Sequence, residues 1–122
     1  MQTVNDAQKI KTNKEQFINK PLKELLKEIK PPIKQMTAEH DAYHIDGGYF
    51  IFNFVDSKQK DSLRSKNKIP VTIVVYVKGF FEYDYEKRPK GKETVWTVED
   101  VKKYGDLMMV GFRVYGDADI EK

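Results

Sequence analysis

Tyr49-Phe50-Ile51-Phe52-Asn53-Phe54-Val55 is the stretch that decides how this chain folds. On an extended backbone successive side chains point to opposite faces. Phe50, Phe52 and Phe54 therefore share one face, and Tyr49, Ile51 and Val55 share the other. A strand apolar on both sides belongs in the interior of a sheet. Ile69 to Val77 repeats the pattern and contains the longest apolar run, Ile73-Val74-Val75-Tyr76-Val77. That run is far short of the roughly 20 residues a membrane-crossing helix needs.

Upstream, Ile45-Asp46-Gly47-Gly48 is a turn signal, and 33–43 is a weaker strand candidate before it. Ahead of Pro31-Pro32, Leu22, Leu25, Leu26 and Ile29 recur at i, i+3, i+4 and i+7. Such spacing places one apolar stripe on a helix, with Lys23, Glu24, Lys27 and Glu28 on the other side. Pro21 suits the start of that helix and the two prolines end it. Thr12-x-x-Glu15 has the spacing of a capping box that opens a short helical turn. Residues 1–11 are polar and are expected to form a flexible segment ahead of one domain spanning 12–122.

Downstream, 56–68 reads as a polar, basic connector. Gly79 interrupts the strand that ends at Val77, and 80–85 resumes it with Phe81, Tyr83 and Tyr85 alternating against Glu82 and Asp84. Pro89 and Gly91 mark a turn, and Thr94-Val95-Trp96 is a candidate returning strand. Thr97 with Asp100 predicts a second capped helix, on which Trp96 packs against Val101, closed by Gly105. Leu107 to Tyr115 is the last strand, with Met108, Val110, Phe112 and Val114 assigned to its buried face. The expected fold is α+β: an antiparallel sheet of four to five strands, with an N-terminal helix and one short helix packed on one face.

Length and composition agree with one folded domain. The chain has 122 residues, 39% hydrophobic and 34% charged, with 7 Phe, 7 Tyr and 1 Trp. That aromatic content argues against disorder. There is no cysteine, which excludes a disulfide framework, a thiolate nucleophile and a Cys-based zinc site. The net charge is +3, and the basic residues are almost all Lys, with Arg only at positions 64, 88 and 113. Phosphate and base-edge recognition leans on the arginine fork, so nucleic acid is a disfavoured partner. Lys58, Lys60, Arg64, Lys66 and Lys68 stand against Asp61 alone, yet no stacking aromatic accompanies them.

His40-Asp41-Ala42-Tyr43-His44 has the H-D-x-x-H form of a metallohydrolase motif, with Asp in the place of the usual Glu. On a helix the two histidines would stand about 6 Å apart and could share a metal. On a strand the same spacing is about 13 Å. No third histidine exists, and the segment leads straight into the Gly47-Gly48 turn signal. The strand reading is preferred, with no metal and no cofactor. Neither a nucleophile elbow nor a phosphate-cradling glycine loop occurs.

The segment Phe17-Ile18-Asn19-Lys20-Pro21-Leu22, followed by Leu25 and Leu26, resembles the opening of small exported bacterial α+β domains of unknown function. In those domains a Phe-Ile turn and a Gly- or Lys-Pro step introduce a short Leu-rich helix before an antiparallel sheet. The resemblance implies a periplasmic or secreted location if a signal peptide has been removed; composition alone leaves the compartment open. It carries no functional residues with it.

The reading that follows is a binding or protein-interaction domain without catalytic activity, taking a protein or peptide partner through Phe81, Tyr83 and Tyr85. A small metal-dependent hydrolase using His40 and His44 is the alternative.

Overall fold

Four strands pair antiparallel in chain order: β1 (Gln35–His40), β2 (Gly47–Asn53), β3 (Thr72–Lys78) and β4 (Met108–Tyr115). This α+β fold is that of a computed structural model, which describes residues 7–40, 47–79, 81–83 and 85–116. Its helices are α1 (Ala7–Thr12), α2 (Leu22–Glu28), α3 (Ser57–Ser65) and α4 (Val98–Tyr104). The two strands read as interior, β2 and β3, are the central pair, with Phe50 opposite Val75 and Phe52 opposite Ile73.

One face of the sheet makes the core. Phe50, Phe52, Ile73, Val75, Met109 and Phe112 are fully buried there, together with Leu22 and Leu25 from α2 and Tyr104 from α4. The stripe predicted for α2 thus meets the sheet as its spacing requires. Ile29 is the C-cap residue and buried, while Leu26 sits half-buried at the margin.

Local chemistry explains where the elements start and stop. Asn19 has a φ of 65°, a left-handed conformation that Asn tolerates better than most residues. The chain turned there lies along β4: Asn19 N donates to Met109 O at 2.8 Å, and Met109 N to Lys20 O at 2.9 Å. Thr97 and Asp100 form the expected capping box of α4, and Gly105 follows as its C-cap. A Cβ at Gly105 would lie 3.2 Å from Cβ of Lys23, and Lys23 N donates to Gly105 O, so α2 and α4 meet at this glycine.

The described part of 1–11 is helical. Ala7 and Ile10 on α1 are buried in the core, and they escape notice in the sequence because polar residues surround them. Thr12 is the last residue of α1 rather than the opening of a new helix, and the Lys14–Gln16 3-10 turn that follows has Asn13 as its N-cap residue, without a side-chain cap bond. The basic connector is helical. Asp56 accepts from Gln59 N at 2.8 Å while the Gln59 side chain accepts from Asp56 N at 3.0 Å, and this reciprocal cap starts α3. Asn67, at φ 59°, ends it just beyond the C-cap. No residue of α3 is buried, which is why periodicity did not reveal it.

Two strand assignments change. Gly47 and Gly48 belong to β2 rather than to the turn. In β4 the buried residues are Met109, Phe112 and Val114, while Met108 and Val110 are exposed. A bulge causes this: Tyr76 pairs with Gly111 and Val77 with Met109, leaving Val110 as an extra residue that reverses the alternation before it.

Among the described residues after β3, 81–83 are not strand. Gly79 has a φ of 102°, a conformation that side-chain-bearing residues rarely adopt, and it turns the chain out of the sheet and back over the core face. Tyr85–Lys87 is a 3-10 turn, and Thr94–Trp96 runs without strand pairing, although Thr94 O accepts from Met36 N at 2.8 Å along β1.

Candidate functional site

The aromatic trio expected to meet a partner is drawn inward where it is described. Phe81 is buried, stacked on Phe50 at 4.9 Å between centroids and edge-on to Tyr104. Its ring occupies the space left by Gly48, where an added Cβ would fall 2.6 Å from it. Tyr83 is half-buried, with its hydroxyl donating to Glu93 O at 2.7 Å and its ring 4.7 Å below the Arg88 guanidinium. Tyr85 opens the 3-10 turn. Phe81 thus belongs to the core and Tyr83 packs against its margin, on a chain that Gly79 has turned back over the sheet.

His40 closes β1 opposite Gly48, so the motif begins on a strand. Asp41, Ala42, Tyr43 and His44 lie outside the described residues. Among the described residues no group of three or more His, Asp or Glu side chains is placed to hold a metal ion. Among the described residues, shallow clefts open on the helical side. One, of about 380 Å³, is lined by Gln16, Phe17, Lys20, Pro21, Glu24 and Glu28. Another, of about 320 Å³, is lined by Phe81, Glu82, Lys103, Tyr104 and Leu107. Neither pairs a nucleophile with a base.

The sheet's second face is the feature that stands out. Directly opposed residues of an antiparallel pair share a face, so the register defines rows across it. One row reads Thr37, Ile51, Val74 and Arg113, and the next reads Glu39, Tyr49, Tyr76 and Gly111. All of these are half-buried or exposed. Tyr76 is 36% exposed, Val110 50% and Tyr115 46%, large values for side chains of this type on a sheet. Antiparallel sheets that face water on one side ordinarily alternate to polar residues there. Here the centre of the face is tyrosine, isoleucine and valine.

Charges frame this apolar centre. The Tyr49 hydroxyl donates to Glu39 Oε2 at 2.6 Å, and the Tyr49 and Tyr76 rings lie 6.2 Å apart, tilted by 56°. At the opposite edge stands the exposed Arg113, its pKa raised chiefly by a side-chain hydrogen bond to Tyr115 and further by its electrostatic interaction with the Tyr115 and Tyr76 phenols. Gly111 leaves a notch, since a Cβ built there meets nothing within 4 Å. Lys78 stands one row further along, opposite Met108.

Comparison with protein-family models, with curated proteins and with solved structures finds no match to this chain. The site therefore rests on its own geometry. Sequence reasoning had the signal for it: strands apolar on both sides, and helices assigned to only one.

Proposed function

We propose that this chain is a non-catalytic binding module whose contact surface is the second face of its sheet, centred on Tyr49, Ile51, Val74 and Tyr76. The observation that carries the reading is the apolar centre of that face, with Tyr49, Ile51 and Val74 half-buried and Tyr76, Val110 and Tyr115 exposed, framed by Glu39 and Arg113. Contiguous exposed apolar patches on a protein surface are commonly contact sites. Tyr and Arg are also the residue types that concentrate binding energy at interfaces. The partner class that fits is a protein surface, because an apolar centre with a charged rim suits another apolar centre. The export implied by the resemblance of 17–26 would place such contacts in the periplasm or outside the cell.

The test is a variant carrying Tyr76→Ser, Val110→Ser and Tyr115→Ser together. These side chains are exposed, so the variant should melt close to the parent. Size-exclusion chromatography of the tagged chain in an extract of its source cells should show the parent in a larger species and the variant as a monomer. Identical elution of both would contradict the proposal.

A further inference from the structure

We infer that the occupant of this face is a second copy of the same chain, packed sheet to sheet about a two-fold axis running along the strands. The inference rests on the reading of this face as a contact surface and adds what covers it.

The argument is one of self-complementarity. A two-fold parallel to the strands keeps each row opposite itself and exchanges the edges, which is the condition for an isologous contact. Tyr76 of one copy then lies over Tyr49 of the other, and Val74 over Ile51, so rings meet rings and aliphatic side chains meet aliphatic side chains. The edges carry opposite charge: Glu39 on β1 and Arg113 on β4. Exchange of edges brings Glu39 of one copy over Gly111 of the other, into the notch and beside Arg113 two residues along the strand. The same pairing is made twice. Glu39 can accept from Arg113 while one of its oxygens accepts from Tyr49, since a carboxylate has about four lone-pair sites. A two-fold perpendicular to the strands would set β1 over β1, leaving each charge opposite its own edge.

The face is small. Four strands spaced about 4.8 Å apart give a patch roughly 19 Å wide, at the small end of specific interfaces. Contacts at that small end are commonly transient ones, so we expect this dimer to dissociate in the micromolar range or above.

Sedimentation of the purified full chain tests this, over a range from about 10 μM to about 1 mM, which spans such affinities. The parent should shift from monomer to dimer with rising concentration. Arg113→Glu and Glu39→Arg should each weaken association by about tenfold or more, because each sets like charges against one another. The double variant, Glu39→Arg with Arg113→Glu, should restore the parent's dimer. Circular dichroism melts confirm that the exposed substitutions leave the fold intact. A parent that stays monomeric throughout overturns the inference, as does a dimer that ignores the single swaps or is not rescued by the double. If the parent is monomeric alone yet still elutes in a face-dependent complex from extract, the self-association falls while the binding reading stands. If neither occurs, both fall.

Discussion

Arg88 and Asp100 meet side by side, with Nη1 to Oδ1 at 2.9 Å and Nη2 to Oδ2 at 2.7 Å. The pair is largely enclosed, its side chains 16% and 7% exposed. Arg88 Nη2 also donates to Val95 O at 2.6 Å, and Asp100 accepts from both Thr97 N and Thr97 Oγ1. One carboxylate therefore caps α4 and anchors the loop between 81 and 97 at the same time.

Burial alone would raise the pKa of Asp100, but the hydrogen bonds from Arg88 and Thr97 outweigh it and hold the value below the ordinary 3.8. A carboxylate depressed in the folded state stabilises it above the unfolded pKa, and that stabilisation is lost as pH falls through the folded value. Asp100→Asn should cost about 3 kcal/mol at neutral pH, the scale for removing one partner of an enclosed pair. Urea melts of parent and variant should begin to converge as pH falls below about 4, the unfolded value, and meet only once pH has passed below the lower pKa of the folded carboxylate. A gap that persists unchanged into strong acid would show that the charge is not the source.

Gly48→Ala should displace Phe81. The added methyl has no room between the Phe81 ring and the Glu39 carbonyl, and overpacking of this kind costs about 1–3 kcal/mol. The same substitution at Gly111 meets open space and should cost far less. Equal effects at the two sites, read by denaturant midpoint, would contradict the placement of Phe81.

Leu25 and Leu26 separate the buried and marginal sides of α2. Leu25→Ala should lose about 2–5 kcal/mol, the range for a filled core site, and Leu26→Ala clearly less. Losses of the same size would mean that the helix is rotated from the position described.

Asp56→Ala removes the cap of a helix that buries nothing. Cap loss is worth about 1 kcal/mol to the helix itself, yet α3 makes no core contact through which to pass it on. Hydrogen exchange should quicken at the amides of 60–65 while the global melt barely moves. A melt lowered in step with the exchange would show α3 to be integral to the core.

The central pair of strands, the leucine helix and the Thr97 cap were legible because each depends on periodicity or on a local cap. What the sequence misread lies where single residues override a pattern. Gly79 turns back a chain whose alternation says strand. Val110 adds one residue to β4 and reverses which methionine is buried. Asp56 and Gln59 start a helix inside a basic stretch with no apolar stripe. The candidate face was legible in principle. Tyr49, Ile51, Val74 and Tyr76 made both central strands two-sided, and helices on one side could cover only half of that apolar surface. Phe81, Tyr83 and Tyr85 alternate as clearly, but Phe81 and Tyr83 lie outside any strand and Tyr85 opens a 3-10 turn.

The most direct measurement is photo-crosslinking from the centre of the face. A photoreactive side chain replacing Tyr76 is compared in the source cells with the same group replacing Lys102, an exposed residue of α4. The account predicts one discrete adduct from position 76, at twice the chain's mass, with its cross-link mapped to the strand that carries Tyr49 and Ile51, and no such adduct from position 102. No adduct from position 76, or the same adducts from both positions, would contradict the claim that this face is where the protein makes its contacts.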